Sequence, residues 1–101
     1  MSAIIRIFQV GEKRFSHVMN TRDDSIELRD EGGEVLLRYD ESAHVSDHNG
    51  LMGHLFFERH EDRMRWAYYE IEHQTVTSLS ADLPSAEVEV SRLYIDRSAK
   101  I

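Results

Sequence analysis

Five of the nine aromatic residues of this chain fall within residues 55–72, in two short runs that a polar break separates. Phe56 and Phe57 lie in the first run, and Trp66, Tyr68 and Tyr69 lie in the second. Aromatic side chains are favoured in strands because their flat, bulky rings fit a pleated, half-buried surface. The two runs therefore predict a β-hairpin that turns near residues 60–63 and forms the centre of the fold.

Shorter strand signals precede and follow this hairpin. Residues 3–10 are rich in isoleucine and valine and end at Gly11, which predicts a first strand that turns into residues 13–19. Residues 25–29 and 34–39 flank a Gly32-Gly33 pair, where glycine can take the positive φ of a tight hairpin. Residues 75–79 indicate another short strand. We therefore expect a mainly β fold, a small single domain of antiparallel hairpins arranged as a sandwich or an open barrel.

Alternation of side chains along residues 25–39 predicts one buried and one solvated face. We expect the apolar residues to lie on the buried face and the charged residues to lie on the other, while Leu36 is apolar on the solvated face. The expected buried set is Ile26, Leu28, Val35, Leu37 and Tyr39, and the expected solvated set is Glu27, Arg29, Glu34 and Arg38.

Two segments give weaker signals. Residues 41–53 lack a periodic pattern and are rich in turn-forming residues, which indicates a loop. Near the C-terminus, residues 87–91 alternate like a strand, and we favour a strand because Val88, Val90 and Ile95 are β-branched. The alternative is a helix over residues 84–97, opened by Asp82 and Pro84, which would make the fold α+β.

Length and composition favour one compact domain over residues 1–101, since no linker or internal repeat is visible. The chain has no cysteine, which excludes disulfides and thiolate zinc sites. Its apolar runs are short, and Arg6 interrupts the first of them, so we expect neither a membrane partner nor a secretory signal. These features together predict a cytoplasmic protein.

Negative charge is concentrated in one quarter of the chain. The net charge is −7, and residues 23–47 hold nine acidic residues against two arginines. Such a segment suits a basic protein surface, although a solvated hairpin face would have the same composition. We therefore expect a small acidic protein-binding module, such as an inhibitor, an immunity protein or a nucleic-acid mimic. The candidate partner-binding residues are Asp23, Asp24, Glu27, Asp30, Glu31, Glu34, Asp40 and Glu41.

A second hypothesis is a ligand- or metal-binding β domain that uses residues 44–54. His44, His48 and His54 lie there, with Asp47 between the first two. Imidazole and carboxylate groups are zinc ligands, but this spacing matches no defined zinc signature, so we expect no cofactor. A third hypothesis is a non-catalytic subunit of a larger assembly, including a homo-oligomer, that uses exposed apolar groups such as Leu36.

Other function classes lack their usual motifs. No serine lies in a nucleophile-elbow sequence, and the glycines form no phosphate-binding loop, so we do not expect an enzyme. Arg65, Trp66 and Tyr68 could stack on bases, but acidic residues interrupt the nearby arginines and no basic groove is formed. We expect no direct nucleic-acid binding and place Trp66 and Tyr68 in the core.

Overall fold

The computed structural model describes residues 2–99, and strands dominate them. The chain divides into two compact units, Met1–Leu51 and Met52–Ile101. Consecutive strands within each unit pair in antiparallel fashion, and a helix lies near the C-terminal end of the described residues. The expected mainly β, antiparallel fold class is confirmed.

The first unit is a meander in which each strand pairs with the next along the chain. Its strands are β1 (Ser2–Val10), β2 (Lys13–Asn20), β3 (Ser25–Arg29), β4 (Val35–Tyr39) and β5 (His44–Asp47). Among residues 2–51, β1 pairs with β2 and with no other strand. Within the described part of the chain, one long edge of β1 therefore has no strand partner.

One face of this first sheet carries most of the unit's apolar core. His17 lies opposite Leu28, and Leu28 lies opposite Leu37, so the three side chains form a row across three strands. All three are buried, as are Tyr39 and Val45 on the same face. The His17 ring meets the Phe8 ring edge-on at 5.1 Å and the Tyr39 ring at 5.8 Å.

The predicted two-faced pattern of residues 25–39 holds for Leu28, Leu37 and Tyr39 but is wrong at two positions. A register shift between Leu28 and Arg29 pairs Val35 with Arg29, which moves the Val35 side chain to the charged face and leaves it 42% exposed. Glu27 was expected to be solvated, but it is 5% exposed. Its neighbours on the sheet, Arg29 and Arg38, cover it.

The predicted loop over residues 41–53 is wrong, because β5 occupies residues 44–47 and the next strand begins at Gly50. The turn-forming residues of this segment form two tight turns and not one long loop. Asp40 accepts hydrogen bonds from the backbone N–H groups of Ser42 and His44, each at 2.9 Å, and Asp47 accepts one from Asn49 at 2.8 Å.

The second unit contains the predicted aromatic hairpin. Strand β6 (Gly50–His60), which begins at the boundary, pairs with β7 (Arg63–Glu70), and β7 pairs with β8 (Thr75–Ser78). Glu61 and Asp62 form the turn, with φ of 49° and 66°. Tyr68 is buried as expected. Trp66 is only partly buried, and its ring lies 5.2 Å from that of Phe57, which is 48% exposed.

The C-terminal element is the helix α1 (Leu83–Ser98), so the preference for a strand is wrong. Asp82 caps the helix by accepting a hydrogen bond from the Ser85 N–H at 2.9 Å, and Pro84 lies in its first turn. The Arg97 side chain holds the other end of α1 against β7 by donating to both carboxylate oxygens of Glu70. Local β-propensity is overridden here by the cap and by tertiary packing.

The two units share a strand pattern with an offset of fifty residues. Strands β2 and β7 are each eight residues long, follow a two-residue turn and precede a four-residue turn. The last residue of each four-residue turn, Asp24 or Gln74, has positive φ, 58° and 52° respectively. The first three strands of the first unit and the three strands of the second therefore repeat one arrangement.

Candidate functional site

The predicted partner-binding acids do not form one patch. Turns alternate between the two ends of an antiparallel meander, so residues 21–24 and 40–43 lie at one end of the first sheet and residues 30–34 lie at the other. Five-residue β3 separates the ends by about 17 Å. One group is Asp23, Asp24, Asp40 and Glu41, the other is Asp30, Glu31 and Glu34, and Glu27 lies between them.

Several of these acids hold the chain's own structure. Asp23 accepts hydrogen bonds from the Ser25 hydroxyl at 2.7 Å and the Ser25 N–H at 3.0 Å, and these bonds hold the pKa of Asp23 below its ordinary value. Asp30 accepts from the N–H groups of Gly32 and Glu34, in the same pattern that Asp40 shows ten residues later. These aspartates are turn formers, which is a common use of this residue.

Glu27 is bound inside the unit by two arginines. Its carboxylate accepts from Arg29 Nε at 3.1 Å and from Arg38 Nη2 at 3.0 Å. Because Glu27 is buried, these charge-assisted bonds offset the loss of water around its carboxylate. Glu27 therefore has an internal partner at the position where a docking role was expected.

The candidate metal ligands are not gathered into a site. His44 lies 3.4 Å from the Asp40 carboxylate, and His54 packs between the rings of Phe56 and Tyr69 at 5.7 and 5.6 Å. His44 and His48 belong to the first unit and His54 to the second. Across residues 2–99, no group of three or more potential ligands is placed to hold a metal ion.

A hollow in the first unit lies beside β1 and the turn at residues 30–34. Its volume is about 270 Å³, which is room enough for an aliphatic side chain. Ile4 and Ile7 on its wall are 63% and 59% exposed, although both are large and apolar. The residues that line the hollow are Ile4, Ile7, Arg14, Phe15, Ser16, Asp30 and Glu31.

A β-bulge in β1 creates this apolar wall. Residues three apart on a regular strand point to opposite faces. The register shift between Ile4 and Arg6 places Ile4 opposite Val18 and Ile7 opposite Ser16, so both isoleucines lie on one face. Arg6 lies on the other face, where its guanidinium contacts His17. The part of β1 that lines the hollow is thus apolar, because Arg6, the charged residue of β1, lies on the opposite face.

The rim of the hollow carries a small excess of negative charge. Asp30 and Glu31 contribute two carboxylates, and Arg14 contributes one guanidinium. Glu31 accepts a hydrogen bond from the Arg14 backbone N–H at 2.8 Å, which ties the turn at residues 30–34 to β2. The carboxylates are therefore held in place before any partner arrives. This arrangement can accept an apolar side chain together with a neighbouring cation.

Sequence reasoning identified Asp30 and Glu31 but missed Ile4 and Ile7. The isoleucine-rich run at residues 4–7 predicts a strand but does not show that its side chains are exposed. The bulge could not be seen, because it depends on how β1 pairs with β2.

Comparison with family models, with curated proteins and with solved structures found no match to this chain. Within the described part of the chain, no helix combines the length and the apolar character that crossing a membrane requires.

Proposed function

We propose that this chain is a small acidic protein-binding module, and that the hollow beside β1 receives an apolar side chain of a basic partner. Exposed apolar groups rimmed by polar ones are typical of protein interaction sites. Interfaces usually depend on a buried apolar anchor surrounded by polar contacts. The hollow offers both features within a few residues.

The observation that carries this proposal is the pairing of the exposed Ile4 and Ile7 with the carboxylates of Asp30 and Glu31 around one cavity. The apolar wall would bury the anchor side chain. The two carboxylates would attract a lysine or arginine next to it, since they outnumber the single Arg14 guanidinium.

The remaining acids support the same partner chemistry over a longer range. Asp24, Glu34 and Glu41 are exposed, and their carboxylates make no ion pair or side-chain hydrogen bond among residues 2–99. They add to a net charge of −7, which raises the encounter rate with a basic protein. The chain is therefore still proposed to be an acidic binding module. Its proposed contact region is one end of the first sheet and not the whole acidic segment.

Selection of short random peptides displayed on phage tests the proposal directly. We expect the wild-type chain to enrich peptides that combine a β-branched or leucine residue with a nearby lysine or arginine. Ile7→Glu should abolish this enrichment, because it places a charge on the apolar wall. Val76→Glu is the matched control, because Val76 is 57% exposed on β8 of the second unit.

Two outcomes would contradict the proposal. The first is enrichment that is the same for wild type and Ile7→Glu. The second is selection of acidic peptides, or of no motif at all, by a wild-type chain whose circular dichroism shows a folded β protein.

A further inference from the structure

The first unit has a second exposed feature, the edge of β1 that faces away from β2. Binding of a side chain in the hollow does not by itself involve this edge. β1 is nine residues long, and among residues 2–99 it pairs with β2 on one side and with no strand on the other. An unpaired strand edge presents a row of backbone N–H and C=O groups that can pair with another strand. β1 contains no proline and no lysine, which commonly protect such edges, and its bulge lies between Ile4 and Arg6, so residues 7–10 form a regular edge.

The hollow and this edge share the same side chains. Ile4 and Ile7 belong to β1 and also line the hollow, so a segment lying along β1 would pass directly beside it. In recognition by strand addition, main-chain hydrogen bonds supply affinity and pockets for alternate side chains supply specificity. The first unit has the two parts of this recognition mode next to each other.

We propose that the partner binds as an extended segment that adds a strand to the free edge of β1 and places an apolar side chain in the hollow. This inference rests on the proposed function of the hollow and specifies the partner's conformation. A lysine or arginine two positions from the apolar residue lies on the same face of the added strand and reaches the carboxylates of Asp30 and Glu31.

The charges of this chain favour a different protein over a second copy of the chain as the partner that binds the edge of β1. Two copies would each bring a net charge of −7, and two β1 strands would each bring Arg6. Like charges across an interface oppose association. A basic, apolar segment brings its cation on the face of the hollow, which is opposite to the face of Arg6, and complements the two carboxylates of the rim.

A synthetic peptide of sequence Thr-Val-Thr-Ile-Thr-Arg-Thr, capped at both ends, is a suitable probe because its valine, isoleucine and arginine share one strand face. Two N-methylated versions complete the set. One version is methylated on the central threonines, and the other is methylated on the isoleucine and the arginine. Each version removes the N–H donors along one edge of the peptide strand.

The two versions should behave differently if the peptide adds a strand. Alternate N–H groups of a strand point to the same neighbour, so only one version loses hydrogen bonds to β1. We expect that version to bind at least about tenfold more weakly than the parent, and the other to stay within about threefold of it. Hydrogen exchange of β1 amides should slow when the parent peptide binds.

Strand addition would be overturned if the parent peptide and both methylated versions bound equally well. If Ile7→Glu but not Val76→Glu then abolished this binding, the hollow would remain as the binding site. Absence of parent binding up to about 1 mM would contradict both proposals. Concentration-dependent dimerisation that protects β1 amides without peptide would assign the edge to a second copy and overturn the inference.

Discussion

Glu27 and His17 are ionisable side chains buried on opposite faces of the first unit's sheet. Glu27 is satisfied by Arg29 and Arg38, and Arg6 contacts His17. Alternation of apolar and polar residues could not reveal either arrangement, because it assigns a charged residue to the solvated face by its type alone. Arg38 and Arg6 reach these two side chains from neighbouring strands, and the sequence alone does not show which strands lie side by side.

Stability should therefore depend on pH through His17. Burial, and to a lesser degree the Arg6 guanidinium, lowers the pKa of His17 from 6.5 to about 3. Between these values the unfolded chain binds a proton that the folded chain does not. The free energy of unfolding contributed by neutral His17 is thus fully present above pH 6.5 and is lost as the pH falls, by up to about 1.4 kcal/mol per pH unit.

Urea unfolding between pH 7 and pH 5 measures this effect. His17→Gln is the comparison, because glutamine offers Arg6 an acceptor and does not titrate. We expect the wild-type stability to fall more steeply than that of the variant as the pH is lowered. Parallel stability curves for the two proteins would show that His17 binds a proton as readily in the folded chain as in the unfolded chain.

Gly53 is a residue whose identity the backbone dictates. It lies within β6 opposite Glu70, and a Cβ atom there would overlap the carbonyl oxygen of Tyr69. Gly53→Ala should lower the free energy of unfolding by about 3 kcal/mol or more, since backbone cannot move aside like a flexible side chain. Gly32→Ala is the control, because an added Cβ there meets only the Asp30 side chain at 3.4 Å. Equal stability of the two variants in urea unfolding would contradict this account.

Elements with strong local signals were predictable, and those that depend on pairing or capping were less so. The aromatic hairpin turns at Glu61 and Asp62 as expected. Asp82 and Pro84 are residues typical of a helix start, and they indicated α1 in the sequence. The β-branched residues in the middle of α1 favoured a strand instead. The turn at residues 40–43 was hidden because serine and alanine occupy positions where the equivalent turn at residues 30–34 has two glycines.

The contact between α1 and β7 depends on Arg97. Its guanidinium donates to both oxygens of Glu70, whose side chain is only 7% exposed. Arg97→Ala leaves this carboxylate without that partner and should cost about 1–2 kcal/mol, less than a fully buried pair because Arg97 itself is half exposed. Arg97→Lys should recover part of the loss. Unfolding in urea measures both variants, and an Ala variant as stable as wild type would show that the ion pair does not hold the helix.

At the scale of the whole chain, the strand arrangement repeated after fifty residues was invisible in the sequence. His17 and Val18 of β2 are buried, as are Ala67 and Tyr68 at the equivalent positions of β7, but burial differs at the other buried positions of the two strands. Side-chain identity differs while strand length and turn length are kept. The acidic segment was visible as composition, but its division between two ends of a sheet follows only from strand direction.

Net charge should control how fast a basic peptide associates with the chain. Charge screening shortens electrostatic attraction to about 8 Å at physiological salt, so stopped-flow association should slow as salt rises. Replacing Asp24 with asparagine and Glu34 and Glu41 with glutamine should slow association and flatten its salt dependence. Folding should stay intact because all three side chains are exposed.

A matched triple in the second unit, Glu58→Gln, Glu72→Gln and Asp96→Asn, changes the net charge equally and reports the effect of net charge alone. The same loss of rate in both triples would assign the effect to total charge. An unchanged rate and salt dependence in the first triple would show that its acids are only a solvated surface.

The measurement that tests the hollow most directly is a map of backbone amide shifts by nuclear magnetic resonance during titration with a peptide from the display selection. We expect the largest changes in β1, at Ser16 of β2 and in the turn at residues 30–34. Largest changes in the turns at residues 21–24 and 40–43, or in the second unit, would contradict this expectation, because the partner would then bind away from the hollow.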